Sequence, residues 1–68
     1  MKKNNINPAH YKQGKIEVID FILDQKLDYL ESNIVKYICR YKLKNGIEDL
    51  EKAEWYLKKL IEVRKKLK

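Results

Sequence analysis

Apolar residues recur at three- and four-residue steps in three stretches of the chain, and polar breaks separate them. In the first, Ile16, Ile19 and Leu23, with Val18 and Ile22 beside them, predict a short helix over about residues 15–26. Their β-branched content would also suit a strand. Gln25-Lys26-Leu27-Asp28 reads as a turn. Leu27, Leu30, Ile34, Ile38 and Tyr41 then mark a second helix over roughly 28–43. Lys44-Asn45-Gly46 breaks the pattern, and Asn45 or Gly46 can take the left-handed conformation that ends a helix. Asn45 also stands three residues before Glu48, a capping-box-like start for another helix. This third helix is expected over roughly 47–66, with Leu50, Ala53, Leu57, Leu60 and Ile61 on one side. Its start is acidic (Glu48, Asp49, Glu51) and its end basic (Arg64, Lys65, Lys66, Lys68), which complements the helix dipole.

These elements give an all-α fold. Residues 1–14 read as an N-terminal arm, because Pro8 disfavours helix at Asn7 and Gly14 closes the segment. Residues 15–68 form the helical domain. The turn between the second and third helices is short enough to make them an antiparallel hairpin, with the first helix packed across it.

Length narrows the picture further. The 68 residues make one domain, and a core this small supplies only about 3–5 kcal/mol of net stability. Disulfides cannot reinforce it, since Cys39 is the only cysteine. A homo-oligomer is therefore expected. A single thiol behind an N-terminus with no apolar signal segment fits a reducing cytoplasm. The apolar runs are too short to span a bilayer. Cys39 itself reads as a buried or half-buried apolar residue.

Sixteen Lys and Arg stand against ten Asp and Glu, for a net charge of +6. Such a field favours an anionic partner without choosing among nucleotide, nucleic acid and acidic protein. Position is more informative than the total. On a wheel of about 100° per residue, Asn33, Lys36, Tyr37, Arg40 and Lys44 lie beside the apolar face of the second helix. Asp49, Lys52 and Tyr56 form a matching stripe on the third. If the hairpin closes on its apolar faces, the two stripes line one groove suited to an anion. Arg40 can fork onto two phosphate oxygens, and Lys36, Lys44 and Lys52 supply mobile charges. Asn33 could meet a phosphate or a base edge, and Tyr37 and Tyr56 could stack on a base. Asp49 could hold a Lys or Arg, accept from a ribose hydroxyl or assist a metal. The same spacing also describes a solvated face with pairs such as Glu48–Lys52.

The ordered segments Asn7-Pro8-Ala9-His10-Tyr11, Gly14-Lys15-Ile16-Glu17-Val18-Ile19-Asp20, Asn33-Ile34-Val35-Lys36-Tyr37-Ile38-Cys39-Arg40 and Lys44-Asn45-Gly46-Ile47-Glu48-Asp49-Leu50-Glu51-Lys52-Ala53-Glu54-Trp55-Tyr56-Leu57 resemble the SaV-like phage domain family. The likeness runs from Asn7 to about Ile61. Ser32 and Lys15 depart from it, standing where the family often has Gly; Ser32 would suit a helix N-cap or turn. The resemblance implies a phage protein of the host cytoplasm, and a nucleotide kinase role ascribed to some members. It adds Asn7, His10, Tyr11, Glu17 and Asp20 to the polar pattern, and of these His10 and Tyr11 join the expected phosphate-binding set.

Other chemistries fit less well. His10 and Cys39 cannot make a metal site between them. Glu48, Asp49, Glu51 and Glu54 are reminiscent of all-helical nucleotide pyrophosphatases that hold magnesium, but Asp49 alone lines up with the basic stripe. No Gly-rich phosphate loop is present, so a kinase would have to draw its side chains from helices of more than one subunit. No cofactor beyond a nucleotide ligand is assigned. The competing readings are a basic helical module for nucleic acid, supported by Tyr-interleaved lysines, and a hairpin that docks on a protein through an exposed Trp55.

Overall fold

A computed structural model of the chain describes residues 14–67. Three helices follow one another, α1 (Val18–Gln25), α2 (Tyr29–Arg40) and α3 (Ile47–Lys66), with no strand among the described residues. Of the predicted arm only Gly14 is described, so the readings of His10 and Tyr11 lie outside the described residues.

Helix ends are set by local chemistry, and this accounts for the differences from periodicity. α1 is shorter than the expected 15–26. Gly14 to Ile16 form a bend, and Glu17 takes an extended conformation with no side-chain cap. The helix stops where Lys26 adopts the left-handed conformation, φ 56° and ψ 44°. There the amides of Lys26 and Leu27 donate back to the carbonyls of Leu23 and Ile22 at 3.2 and 3.1 Å, a Schellman closure on a non-glycine residue.

α2 begins on a capping box. The Asp28 carboxylate accepts from the Glu31 amide, and Glu31 accepts from the Asp28 amide, both at 2.9 Å. Ser32 therefore is not a cap. It lies inside the helix, and its hydroxyl donates to the Leu27 carbonyl at 3.3 Å. α2 ends at Arg40 rather than at 43, because Tyr41 to Gly46 turn back and the Gly46 amide donates to the Tyr41 carbonyl at 2.8 Å.

α3 matches its expected range, but its entry differs. Gly46 is the N-cap, at φ 56° and ψ −125°. The Glu48 amide donates to the Asn45 carbonyl at 3.2 Å, but the side chain of Asn45 pairs with Asp49 and forms no capping box with Glu48. Asp49 Oδ2 accepts from the Asn45 amide and Oδ1 from its Nδ2, each at 3.3 Å.

α2 and α3 pack closely as the hairpin, and α1 packs chiefly on α2. The seam of the hairpin is not purely aliphatic. Its most buried residues among those described are Asn33, Asp49 and Ala53. Asn33 Nδ2 donates to the Tyr29 carbonyl one turn back, at 2.9 Å. Ile38, Leu57 and Ile61 remain substantially exposed, as does Cys39. The expected burial of Cys39 is thus corrected: it follows Ile38 onto the open side of α2. No helix of the structure is long and apolar enough to cross a membrane, among the described residues.

Candidate functional site

The site is built on spacing within each helix and on the pairing between them. On α2, Asn33, Lys36, Tyr37 and Arg40 recur at three- and four-residue steps. On α3, Asp49, Lys52, Ala53 and Tyr56 do the same, so each set shares a helix side. Antiparallel closure then brings Arg40 to Asp49 and Tyr37 to Tyr56.

Asp49 is fully buried, with 0% of its surface exposed. Arg40 forks onto it, Nε to Oδ2 at 3.1 Å and Nη2 to Oδ1 at 3.2 Å, and the Arg40 side chain is itself 17% exposed. With the two bonds from Asn45, four donors converge on one carboxylate. The hydrogen bonding of Arg40, helped by that of Asn45 and by the charge of Arg40, outweighs burial and holds the Asp49 carboxyl below its ordinary value of 3.8. Of the roles open to Asp49 from sequence, the geometry takes the holding of an arginine. Arg40 is thereby fixed along the seam.

One turn further, the Tyr37 and Tyr56 rings stack with centroids 6.0 Å apart and planes at 16°. Tyr29 and Trp55 meet Tyr56 edge-on, at 6.1 Å and 76° and at 5.1 Å and 84°. A hydrogen bond with the Tyr29 side chain, then burial, raises the Tyr56 hydroxyl above its ordinary 10.0. Three cations gather on the Tyr37 ring: Lys36 Nζ at 4.7 Å, the Arg40 guanidinium carbon at 4.8 Å and Lys52 Nζ at 5.5 Å from its centroid. Each gains from the ring quadrupole, but the cations repel one another. Asp49 compensates Arg40. Lys52 has an exposed pair with Glu48 at 3.7 Å, a contact of little strength. Lys36 makes no ion pair among the described residues. The result is a patch of positive charge drawn together from two helices.

Beside it lies a shallow concavity of about 310 Å³ lined by Tyr37, Lys52, Trp55 and Tyr56. Trp55 is 58% exposed, whereas Tyr37 and Tyr56 are half-buried against each other. The ring offered to a ligand is therefore Trp55. A helical wheel sets Trp55 opposite the apolar face of α3 and outside the stripe; its place three residues after Lys52 is the signal in the sequence that it borders the same site. Lys44 belongs to neither helix and lies in the turn between α2 and α3.

Residues 6–58 match the profile of a family described as Protein of unknown function (DUF3310), more than half of the chain. The chain belongs to the DUF3310 family. No curated protein and no solved structure matches it. The DUF3310 match covers the whole cluster from Asn33 to Tyr56. It also takes in His10 and Tyr11, which lie outside the described residues, and it ends inside α3. Among the described residues of this DUF3310 chain, no three His, Cys, Asp or Glu side chains are grouped so as to hold a metal ion.

Proposed function

We propose that this DUF3310 protein binds a nucleotide, with the base against Trp55 and the phosphate on Lys36 and Lys52. The observation that carries this reading is the meeting of two lysines from separate helices over one tyrosine ring, beside an exposed indole. An anion placed there relieves the repulsion between the ammonium groups, and an aromatic base on Trp55 buries apolar surface on both partners. Arg40 contributes as a fixed neighbour of the site rather than as its free grip. The resemblance to the SaV-like phage domain family supports a place in phage nucleotide metabolism in the host cytoplasm.

Sequestration is favoured over phosphoryl transfer. A kinase must position two phosphate groups and a base for the attacking hydroxyl. The one carboxylate on the seam, Asp49, already accepts four hydrogen bonds and has no exposed surface. The reading also includes self-association, with a second copy of the chain covering the exposed apolar flank that carries Ile38 and Leu57.

Calorimetry against AMP, ADP, ATP and a short DNA duplex, at low and high salt, tests the proposal. Saturable nucleotide binding is expected to weaken about tenfold or more in Lys52→Ala and in Lys36→Ala, by loss of one charge-assisted contact in each. Binding of the duplex alone, with steep salt dependence, would replace this reading with the nucleic-acid module. Formation of ADP from ATP and AMP would restore the kinase.

A further inference from the structure

The basic surface does not stop at Trp55. The same indole borders a second, larger concavity of about 520 Å³, lined also by Lys58, Lys59, Ile61, Glu62 and Lys65. We propose that the ligand is a dinucleotide unit, two nucleotides joined by a phosphodiester, lying across Trp55 with one nucleotide in each concavity. This rests on the nucleotide reading above and specifies its ligand class.

Helical geometry supplies the first argument. Lys52, Trp55, Tyr56 and Lys59 stand at i, i+3, i+4 and i+7, so they form one continuous strip along α3. Lys52 and Lys59 are about 10 Å apart along the axis at roughly 1.5 Å per residue, and Lys65 lies a further turn and a half on. One phosphate cannot serve both ends of such a strip. A ligand with separated anionic groups can.

Size and surface chemistry supply the second. The smaller concavity is at the low end of the roughly 300–1,000 Å³ typical of small-molecule sites, enough for a single nucleotide. The larger one adds an apolar floor, Ile61 beside Trp55, on which a second base can lie, and stacking of this kind tolerates any base. Its one acid, Glu62, is paired with Lys59 at 3.4 Å, and Lys58 is paired with Glu54 at 3.6 Å. Both are exposed pairs that a phosphate can displace at little loss. Lys65 makes no ion pair among the described residues. The DUF3310 match ends at residue 58, so Lys59, Ile61 and Lys65 extend the surface beyond the matched span.

Titration calorimetry of the full chain with AMP and with the 5′-phosphorylated diadenylate pApA tests the inference. The diadenylate is expected to bind at least about tenfold more tightly than AMP, as a second linked contact should. In a Lys59→Ala, Lys65→Ala double variant that preference should vanish while AMP affinity stays unchanged, since both lysines are exposed and neither lines the smaller concavity. Equal affinity for the two ligands in the parent protein, or an undiminished preference in the double variant, overturns the inference and leaves mononucleotide binding standing. Failure of both ligands to bind overturns the two readings together.

Discussion

Asp49 shows how a single residue can be essential to a site without being offered to a ligand. Its carboxylate accepts from Arg40 twice and from Asn45 twice, and those bonds tie the end of α2 to the first turn of α3. The pH dependence comes from the direction of its shift. Its folded value lies below the ordinary 3.8, so the stabilisation is complete above that ordinary value and is lost as pH falls through the folded one. The melting temperature of the parent protein should therefore hold above that ordinary value and drop as the pH is taken below it. Asp49→Asn keeps the shape but removes the negative charge that Arg40 forks onto, so it should melt lower at neutral pH and lose less on acidification. Thermal melts of both proteins on either side of that value check this. An unchanged acid dependence in Asp49→Asn would place the acid-sensitive group elsewhere.

At the scale of elements, two positive-φ residues set the helix ends, and they call for opposite substitutions. Gly46 adopts φ 56° and ψ −125° at the start of α3, a region that residues with a Cβ avoid, although a Cβ there would meet nothing within 4 Å. Gly46→Ala should therefore destabilise through the backbone alone, by about 1–3 kcal/mol. Lys26 carries the corresponding strain at the end of α1, with φ 56° on a side chain that is exposed. Lys26→Gly should stabilise by about 1 kcal/mol as that strain is relieved. Urea unfolding of the two variants should move the midpoint in opposite directions.

The same elements show how far apolar spacing reaches. It yields the existence and order of the three helices, and it bounds α3 well because the apolar pattern, the acidic start and the basic end agree there. It does not bound α1 and α2 so closely, because the extended backbone at Glu17, the left-handed Lys26 and the hydrogen-bonded turn from Tyr41 to Gly46 are local conformations that periodicity does not encode. The cluster is legible as a set of residues, since a helical wheel alone groups Asn33, Lys36, Tyr37 and Arg40. How they divide their work is not. Whether Arg40 faces a ligand or Asp49 depends on the path of the turn, which brings residues nine apart in sequence into contact.

For the whole molecule, the question is what holds together a chain whose only buried apolar residue, among those described, is Ala53. The ladder of Tyr29, Tyr56 and Tyr37 and the Arg40–Asp49 fork join α2 to α3 along one flank of the hairpin. The other flank carries Ile38 and Leu57, both close to half exposed. Covering that flank with a second copy would bury aliphatic surface at roughly 25 cal/mol per Å² while leaving the basic flank open. The melting temperature should then rise with protein concentration, as mass action requires. Sedimentation equilibrium at about 100 μM should give roughly twice the 8.3 kDa of one chain, and Leu57→Glu should shift the species towards monomer. A parent protein that stays at the mass of a single chain would rule this assembly out. Salt separates association from ligand binding. Each copy carries +6, so screening weakens the repulsion between copies and strengthens their association, while the grip of Lys36 and Lys52 on phosphate weakens. Raising ionic strength should therefore raise the apparent mass and lower nucleotide affinity in the same samples, a pair of opposite responses that one shared surface could not produce.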